Sequence, residues 1–452
     1  MPHLFNFFTP SFRTLLLLTL AWTASTVALA GKSYSYFAQG SPSAPTSVLP
    51  PAKGTQSIAL MGGGYDVAEA FRWMIKRSGV QPAKCDTLGC TATTGGRFLV
   101  LRATGSDAYN PYVLSRLGTP DATGPYENVG GIDMGLSSVE TLIVPSVDAA
   151  NDPFVADRIN AAHAIWIAGG DQSDYVKFWK GTGLNTALKS AITRGIPVGG
   201  TSAGMAILGQ YSFAALNGTV TSSQALSDPY NKYMTFDPIW TATTTSTSLL
   251  DVAVAPLNNT ITDTHLDSRN RMGRMVAFLS RMTKPTCSGP AEASKARAIG
   301  LDEETALLIS YSEKSNPAAT ANLVSNPVYS KTTNTDIGNP NSAYMLEFSP
   351  RNILTSICQS GVPLRITGSP DAFTLVRTTA NDVDAKTTAC STTAQLVTAC
   401  TSLNPLKVSF MSANISFNLS DWSSLCTNKV KTACSTTTNM YPTGGFLSGT
   451  TY

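Results

Sequence analysis

Residues 191–209 read AITRGIPVGGTSAGMAILG, and within them Gly200-Thr201-Ser202-Ala203-Gly204 matches G-x-S-x-G. That pattern marks a nucleophile elbow, a sharp turn between a strand and a helix. The flanks supply both elements. Upstream, Leu184, Ala187, Leu188 and Ile192 recur at helical spacing, Gly195 ends that helix and Pro197 cannot continue it. Residues 196–198 read as a short buried strand, and Met205, Ala206, Ile207 and Leu208 start the next helix. Small residues at 200, 203 and 204 let the backbone turn tightly beneath Ser202. The hydroxyl is then held away from the sheet, facing backbone N–H groups at the helix N-terminus. A developing oxyanion needs such donors.

The chain before the elbow repeats one theme. Residues 57–61 form an apolar run ending in Gly62-Gly63-Gly64, and Ala68, Phe71, Arg72, Met74 and Ile75 then suggest a helix. This glycine turn is not a dinucleotide fingerprint, which needs glycine where Val67 stands, and no Gly-Lys-Ser/Thr follows for a Walker loop. Residues 97–103 (RFLVLRA), 139–144 (VETLIV) and 164–168 (AIWIA) read as further buried strands, the last running into Gly169-Gly170-Asp171-Gln172. Apolar strands alternating with helices indicate a parallel α/β sheet, whose sites form at the carboxyl ends of strands. The glycine turns at 62–64, 169–170 and 199–204 all fall there.

Downstream, residues 249–256 (LLDVAVAP) read as another strand, and 261–274 as a loop into a helix with Asp267 or Ser268 as its N-cap. Residues 298–311 read as two strands around an acidic turn. From about 312, Ser, Thr, Asn and Pro increase, and alternation at 344–348 and 372–376 suggests β structure. Residues 379–452 are Thr-rich, contain four cysteines and read as a β-rich extension stapled by disulfides.

The 452 residues suffice for one large or two ordinary domains, and a hydrophobic fraction of 42% permits a sizeable core. Only 13% of residues are charged and the net charge is +3, which argues against nucleic acid as a partner. Residues 1–30 read as a secretory signal: Arg13 precedes the apolar run 15–22, and Ala28-Leu29-Ala30 resembles a cleavage site. Secretion makes disulfides the expected state of Cys85, Cys90, Cys287, Cys358, Cys390, Cys400, Cys426 and Cys434. The pairs 85/90, 390/400 and 426/434 are close enough for local bridges. Neither C-x-x-C nor HExxH occurs, so no metal site is expected.

A serine nucleophile needs a base. His3 lies in the signal. His163 opens the 164–168 strand at the end opposite the expected site, so its role is structural. His265 stands on a loop at a strand's exit and is the base by elimination. An acid must orient it. Asp263, Asp267, Asp302, Glu303 and Glu304 are all candidates, and composition does not choose among them.

Four motifs resemble peptidase family S51, the cyanophycinase and peptidase E relatives. They are Gly169-Gly170-Asp171-Gln172, the elbow at 200–204, Asp263-Thr264-His265 followed by Arg269, Arg271 and Arg274, and Gly300-Leu301-Asp302-Glu303 with Thr305-Ala306-Leu307. The likeness covers about 55–312 well, fades toward 378 and leaves the final segment uncovered. It implies a flavodoxin-like (class I glutamine amidotransferase-like) fold, a mostly parallel sheet flanked by helices. It implies Ser202 as nucleophile, His265 as base and Glu303 as its acid. It places the oxyanion hole at the N–H groups of Ala203 and Gly170, and Gln172, Asp263, Thr264, Arg269, Arg271 and Arg274 around the substrate. Thr264 departs from the glutamine of the family, which bears on substrate contacts.

The resemblance implies hydrolysis of cyanophycin, a polyaspartate bearing arginine on its side-chain carboxyls, to β-Asp-Arg dipeptides. Arginines suit such a substrate because their planar fork binds carboxylate bidentately. The rivals are an aspartyl or isoaspartyl dipeptidase of the same family and a non-catalytic secreted binding protein on the same fold. The expected organisation is a signal (1–30), a leader (31–54), a peptidase domain (55–378) and the extension (379–452). The expected partner is the polymeric peptide, without nucleic acid, cofactor or metal, and without a membrane once the signal is removed; a homodimer is left open.

Overall fold

A computed structural model describes residues 33–86, 89–121, 126–239, 247–266, 268–313, 318–326, 342–348, 353–368, 373–379 and 411–415. The expected signal, Asp267, the cysteines at 390, 400, 426 and 434, and the extension apart from Thr379 and Met411–Ile415 lie outside the described residues.

The organising layer is an eight-stranded sheet. Its strands in chain order are β1 (Ser35–Gly40), β2 (Thr55–Met61), β3 (Arg97–Arg102), β4 (Ser138–Ile143), β5 (Ala164–Ile167), β6 (Val198–Thr201), β9 (Thr305–Ser312) and β10 (Ala318–Ser325). Across the sheet they run β1-β4-β3-β5-β6-β2-β9-β10. The central run from β4 to β2 is parallel, and β1, β9 and β10 join it antiparallel. This is the mostly parallel, flavodoxin-like α/β class expected. The segment read as a leader contributes β1, which pairs with β4 along its whole length.

Both faces are covered, which is why the central strands are continuous apolar runs rather than alternating ones. Ile58 and Leu60 of β2 point to the face packed by helices α2 (Pro153–Ala161), α3 (Gln172–Trp179), α4 (Gly183–Thr193) and α5 (Ala203–Ala206). Ala59 and Met61 point to the opposite face, packed by α1 (Ala68–Arg77) with Phe71, Trp73 and Met74. The helices begin where caps allow: Asp152 accepts from Phe154 N with Pro153 in the first turn, and Thr182 accepts from Asn185 N. Helix α4 ends as its sequence requires, with Gly195 at φ +86° and Ile196 N closing back on Ala191 O at 3.1 Å.

A second, five-stranded sheet runs β7 (Thr260–Thr264), β8 (Arg297–Leu301), β11 (Ser342–Phe348), β12 (Phe373–Thr379) and β13 (Met411–Ile415). Helix α6 (Met272–Met282) packs on it through a stripe at helical spacing, Met272, Met275, Val276 and Leu279. Cys287, just beyond that helix, is bonded to Cys358. Cys85 and Cys90 face each other in a short antiparallel ladder.

Three expectations change. Residues 249–256 are not a strand but part of two 3-10 turns, Asp251–Ala253 and Ala255–Leu257. Leu249, Leu250, Val254 and Leu257 bury into the main core from irregular backbone, and Pro256 has no N–H for a ladder. The strand lies later, at β7, inside the stretch read as a loop. The two strands around the acidic turn are present as β8 and β9, but they belong to different sheets. Helix α6 starts after Arg271 without a side-chain cap of its own, and Arg274 N is met instead by Ser222 Oγ at 3.1 Å.

Candidate active site

The adjacent strands β2 and β6 send their following helices, α1 and α5, to opposite faces of the sheet. A crevice opens outside their carboxyl ends, the usual ligand position in such sheets. Ser202 stands at this point with φ 50° and ψ −117°. Non-glycine residues adopt that conformation only when the surroundings impose it, at a cost of roughly 1–3 kcal/mol. The surroundings here are tight. A Cβ on Gly204 would stand 2.0 Å from Ile167 O at the end of β5, so only glycine lets α5 begin this close to the sheet.

His265 leaves the end of β7 with φ 50°. Its Nε2 lies 2.8 Å from Ser202 Oγ, and its Nδ1 lies 2.6 Å from Glu303 Oε1. Glu303 sits in the turn between β8 and β9, where the chain passes from one sheet to the other. Among the described acids offered by the sequence, Glu303 makes this contact. Asp263 is paired with Arg274, Asp302 is buried, and Glu304 accepts from Tyr126 Oη at 2.5 Å.

The electrostatics assign the protons. Burial lowers the His265 pKa from its ordinary 6.5, outweighing the hydrogen bond to Glu303 that raises it. The hydrogen bond to His265 holds the Glu303 carboxyl below its ordinary value. At neutral pH the carboxylate is therefore ionised and the imidazole neutral. Glu303 requires the imidazole proton on Nδ1, which leaves Nε2 free to accept from the serine hydroxyl.

The three residues share an anchor that the sequence reading missed. Ser202 N donates to Met61 O at 3.1 Å, His265 N to Gly62 O at 2.9 Å, and Glu304 N, next to Glu303, to Gly63 O at 2.7 Å. The signal was the glycine turn at 62–64, which the sequence placed at a strand's carboxyl end without showing that its carbonyls anchor the site.

Ala203 is the first residue of α5, so the helical ladder does not consume its N–H. Gly169 lies against the nucleophile: a Cβ there would stand 3.5 Å from Ser202 Cβ. Tyr175 Oη lies 2.7 Å from Ala168 O and 3.2 Å from Gly169 O, which fixes the turn that carries Gly170. Gln172 opens α3 and donates through Nε2 to Phe213 O at 3.4 Å.

The expected substrate residues divide. Arg269 is exposed and Arg271 half-buried. Arg271 Nη1 donates to Thr264 O at 3.0 Å. Burial, then Arg274, lowers the Arg271 pKa to about 9, so it remains a cation at neutral pH. Thr264 is buried beneath it. Asp263 and Arg274, expected at the substrate, are instead buried against each other, with Arg274 Nε 2.8 Å from Asp263 Oδ2. Strand β7 turns the Asp263 side chain toward α6, which is the physical reason it meets Arg274. His163 has the structural role expected: its Nδ1 accepts from Arg97 N at 3.0 Å at the far end of β5. Among the described residues, no group of three or more His, Cys, Asp or Glu is arranged to hold a metal ion.

The mostly parallel α/β sheet thus presents Ser202, His265 and Glu303 in one hydrogen-bonded array at a strained elbow. Residues 133–227 match the profile of Peptidase family S51. That match, together with similarity to cyanophycinases, supports an S51-like assignment. It is 27% identical over 206 residues to the cyanophycinase of Synechococcus elongatus, covering 45% of this chain and 54% of that one. The same identity and coverage hold for the cyanophycinase of Thermosynechococcus vestitus. The chain thus spans about half the length of these curated relatives. Among solved structures, a peptidase from an acI-B1 Actinobacterium aligns at 14% identity over 60% of this chain and 98% of its own, with a TM-score of 0.34. A putative peptidase E from Listeria monocytogenes aligns at 13% identity over 60% of this chain and 100% of its own, with a TM-score of 0.31.

Proposed function

We propose that the protein is a secreted serine-type exopeptidase that hydrolyses cyanophycin to β-Asp-Arg dipeptides. The observation that carries the reading is the unbroken array from Ser202 Oγ to His265 Nε2 at 2.8 Å and from His265 Nδ1 to Glu303 Oε1 at 2.6 Å. Ser202 Oγ attacks the scissile carbonyl while His265 Nε2 takes its proton, and Glu303 stabilises the resulting imidazolium. The N–H groups of Ala203 and Gly170 receive the oxyanion. His265 returns the proton to the leaving amine, and water, activated by the same base, releases the acyl group. Arg269 and Arg271 meet substrate carboxylates, and Gln172 contributes to the substrate pocket.

The secreted location rests on the signal-like sequence of residues 1–30 and is supported by the Cys287–Cys358 bond. Among the described residues, no helix is long and apolar enough to cross a membrane.

The test is incubation of the purified protein with insoluble cyanophycin, with products identified by mass. Release of β-Asp-Arg that disappears in Ser202→Ala is the expected result. Cleavage of free Asp-X dipeptides with the polymer left intact would move the assignment to an aspartyl dipeptidase. Absence of both activities, together with no labelling of Ser202 by a serine-directed phosphonate, would leave a binding protein.

A further inference from the structure

Asp263 and Arg274 stand at the two ends of the segment that carries His265, Arg269 and Arg271. Their side chains meet in a two-point contact, Arg274 Nε to Asp263 Oδ2 at 2.8 Å and Nη2 to Oδ1 at 2.5 Å. Each residue is only 2% exposed. The guanidinium has further partners. Its Nη1 donates to Thr219 Oγ1 and Val220 O, both at 3.2 Å. Its carbon lies 5.3 Å from the Phe213 ring centroid and 5.5 Å from that of Phe278. Asp263 Oδ1 accepts a further bond from Thr264 N at 2.9 Å. An arginine that receives a substrate carboxylate must present part of its fork to the substrate. This one has its fork turned inward, with four of its five N–H groups bonded to Asp263, Thr219 and Val220.

We infer that Asp263 and Arg274 are positioning residues, a buried clasp that closes the 263–274 segment and so holds His265 against Ser202 without touching substrate. The inference rests on the proposed chemistry of Ser202 and His265. It follows from where the clasp is fastened. His265 is two residues from Asp263 and stands at φ 50°, a conformation its surroundings must impose. The hydrogen bond of its N–H to Gly62 O fixes one side of the ring's attachment. The clasp fixes the strand end from the other side. Ser222 Oγ adds a second tie across the segment, donating to Asn270 O at 2.6 Å and accepting from Arg274 N at 3.1 Å.

The experiment compares Asp263→Asn and Arg274→Lys with the wild-type full chain. One readout is the rate at which a small neutral phosphonate labels Ser202, a reagent with no carboxylate to bind. The other is the low-field proton resonance of His265 Nδ1–H, expected from its short bond to Glu303 and assigned by its loss in His265→Gln. A shift of the base by about 1 Å should slow labelling roughly tenfold to a hundredfold in both variants. The resonance should move or broaden in parallel, while circular dichroism stays native. Wild-type labelling and an unmoved resonance, with polymer cleavage lost, would overturn the inference and make Arg274 a substrate contact. Should Arg274→Lys not fold, Thr219→Val removes one anchor and keeps the ion pair. It should slow labelling several-fold, and wild-type labelling there would count against the clasp. A wild type that labels but leaves cyanophycin intact sinks the substrate reading alone. If the wild type does not label, the serine chemistry fails and the resonance still decides the clasp.

Discussion

Replacing Gly63 by alanine tests the site through a single methyl group. That methyl would stand 2.2 Å from His265 Cε1, 2.6 Å from Nε2 and 2.8 Å from Nδ1. Carbon atoms sit comfortably at about 3.5 Å, so the imidazole has to retreat by roughly 1.3 Å. The retreat stretches the bond to Ser202, now 2.8 Å, to roughly 4 Å, beyond hydrogen-bond reach. A misplacement of about 1 Å costs on the order of a hundredfold in rate. Gly63 also has φ +117°, so alanine adds backbone strain of roughly 1–3 kcal/mol. Gly181→Ala separates the two effects, because Gly181 has φ +75° with nothing within 4 Å of the added carbon. Both variants should lose some thermal stability, and only Gly63→Ala should lose phosphonate labelling and turnover. A folded Gly63→Ala protein that labels at the wild-type rate would refute the placement of His265 against Ser202.

Ser202→Ala and His265→Ala should each abolish most turnover, up to about 10⁶-fold by analogy with a measured serine protease, and the double variant should be little worse. Because burial lowers the His265 pKa, the acid limb of kcat/KM should fall below pH 6.5, the ordinary imidazole value. His163 gives a separate pH effect: burial, then Arg97, pushes it down to about 4. The unfolded chain therefore takes up that proton first, and stability should be lost as pH falls from about 6.5 toward about 4. Thermal unfolding of His163→Gln across that window should show a flatter dependence. The Cys287–Cys358 bond closes a separation of 71 residues, and Cys358→Ser should cost about 4 kcal/mol by the chain-entropy relation, read from denaturant unfolding. Equal midpoints for the two proteins would show that the bond constrains little.

The sheet and the elbow were legible because their signals are local. Apolar runs ending in glycine at 62, 169 and 199 marked strand ends, and G-x-S-x-G marked the turn between β6 and α5. The strand carrying His265 was not legible, because Thr260–Thr264 is polar in sequence though buried in the fold. The more apolar run at 249–256 took the assignment in its place. The choice of Glu303 over its acidic neighbours depends on where a turn between two sheets projects, which no spacing encodes. The arginines show the same limit. Their spacing suggested a common role, yet α6 begins after Arg271, so Arg269 and Arg271 precede the helix while Arg274 lies inside it.

The three consecutive carbonyls of Met61, Gly62 and Gly63 act as a jig. Nucleophile, base and acid come from positions 202, 265 and 303, far apart along the chain, yet each segment is referred to neighbouring peptide units about 3.8 Å apart. Sliding or flexing of β2 within the sheet therefore carries all three together. Their mutual distances depend on the short geometry of two peptide bonds, not on the many residues that separate them. A site referred to one strand in this way can tolerate drift in the long intervening segments, while a change at any of those three carbonyls is felt by its whole chemistry.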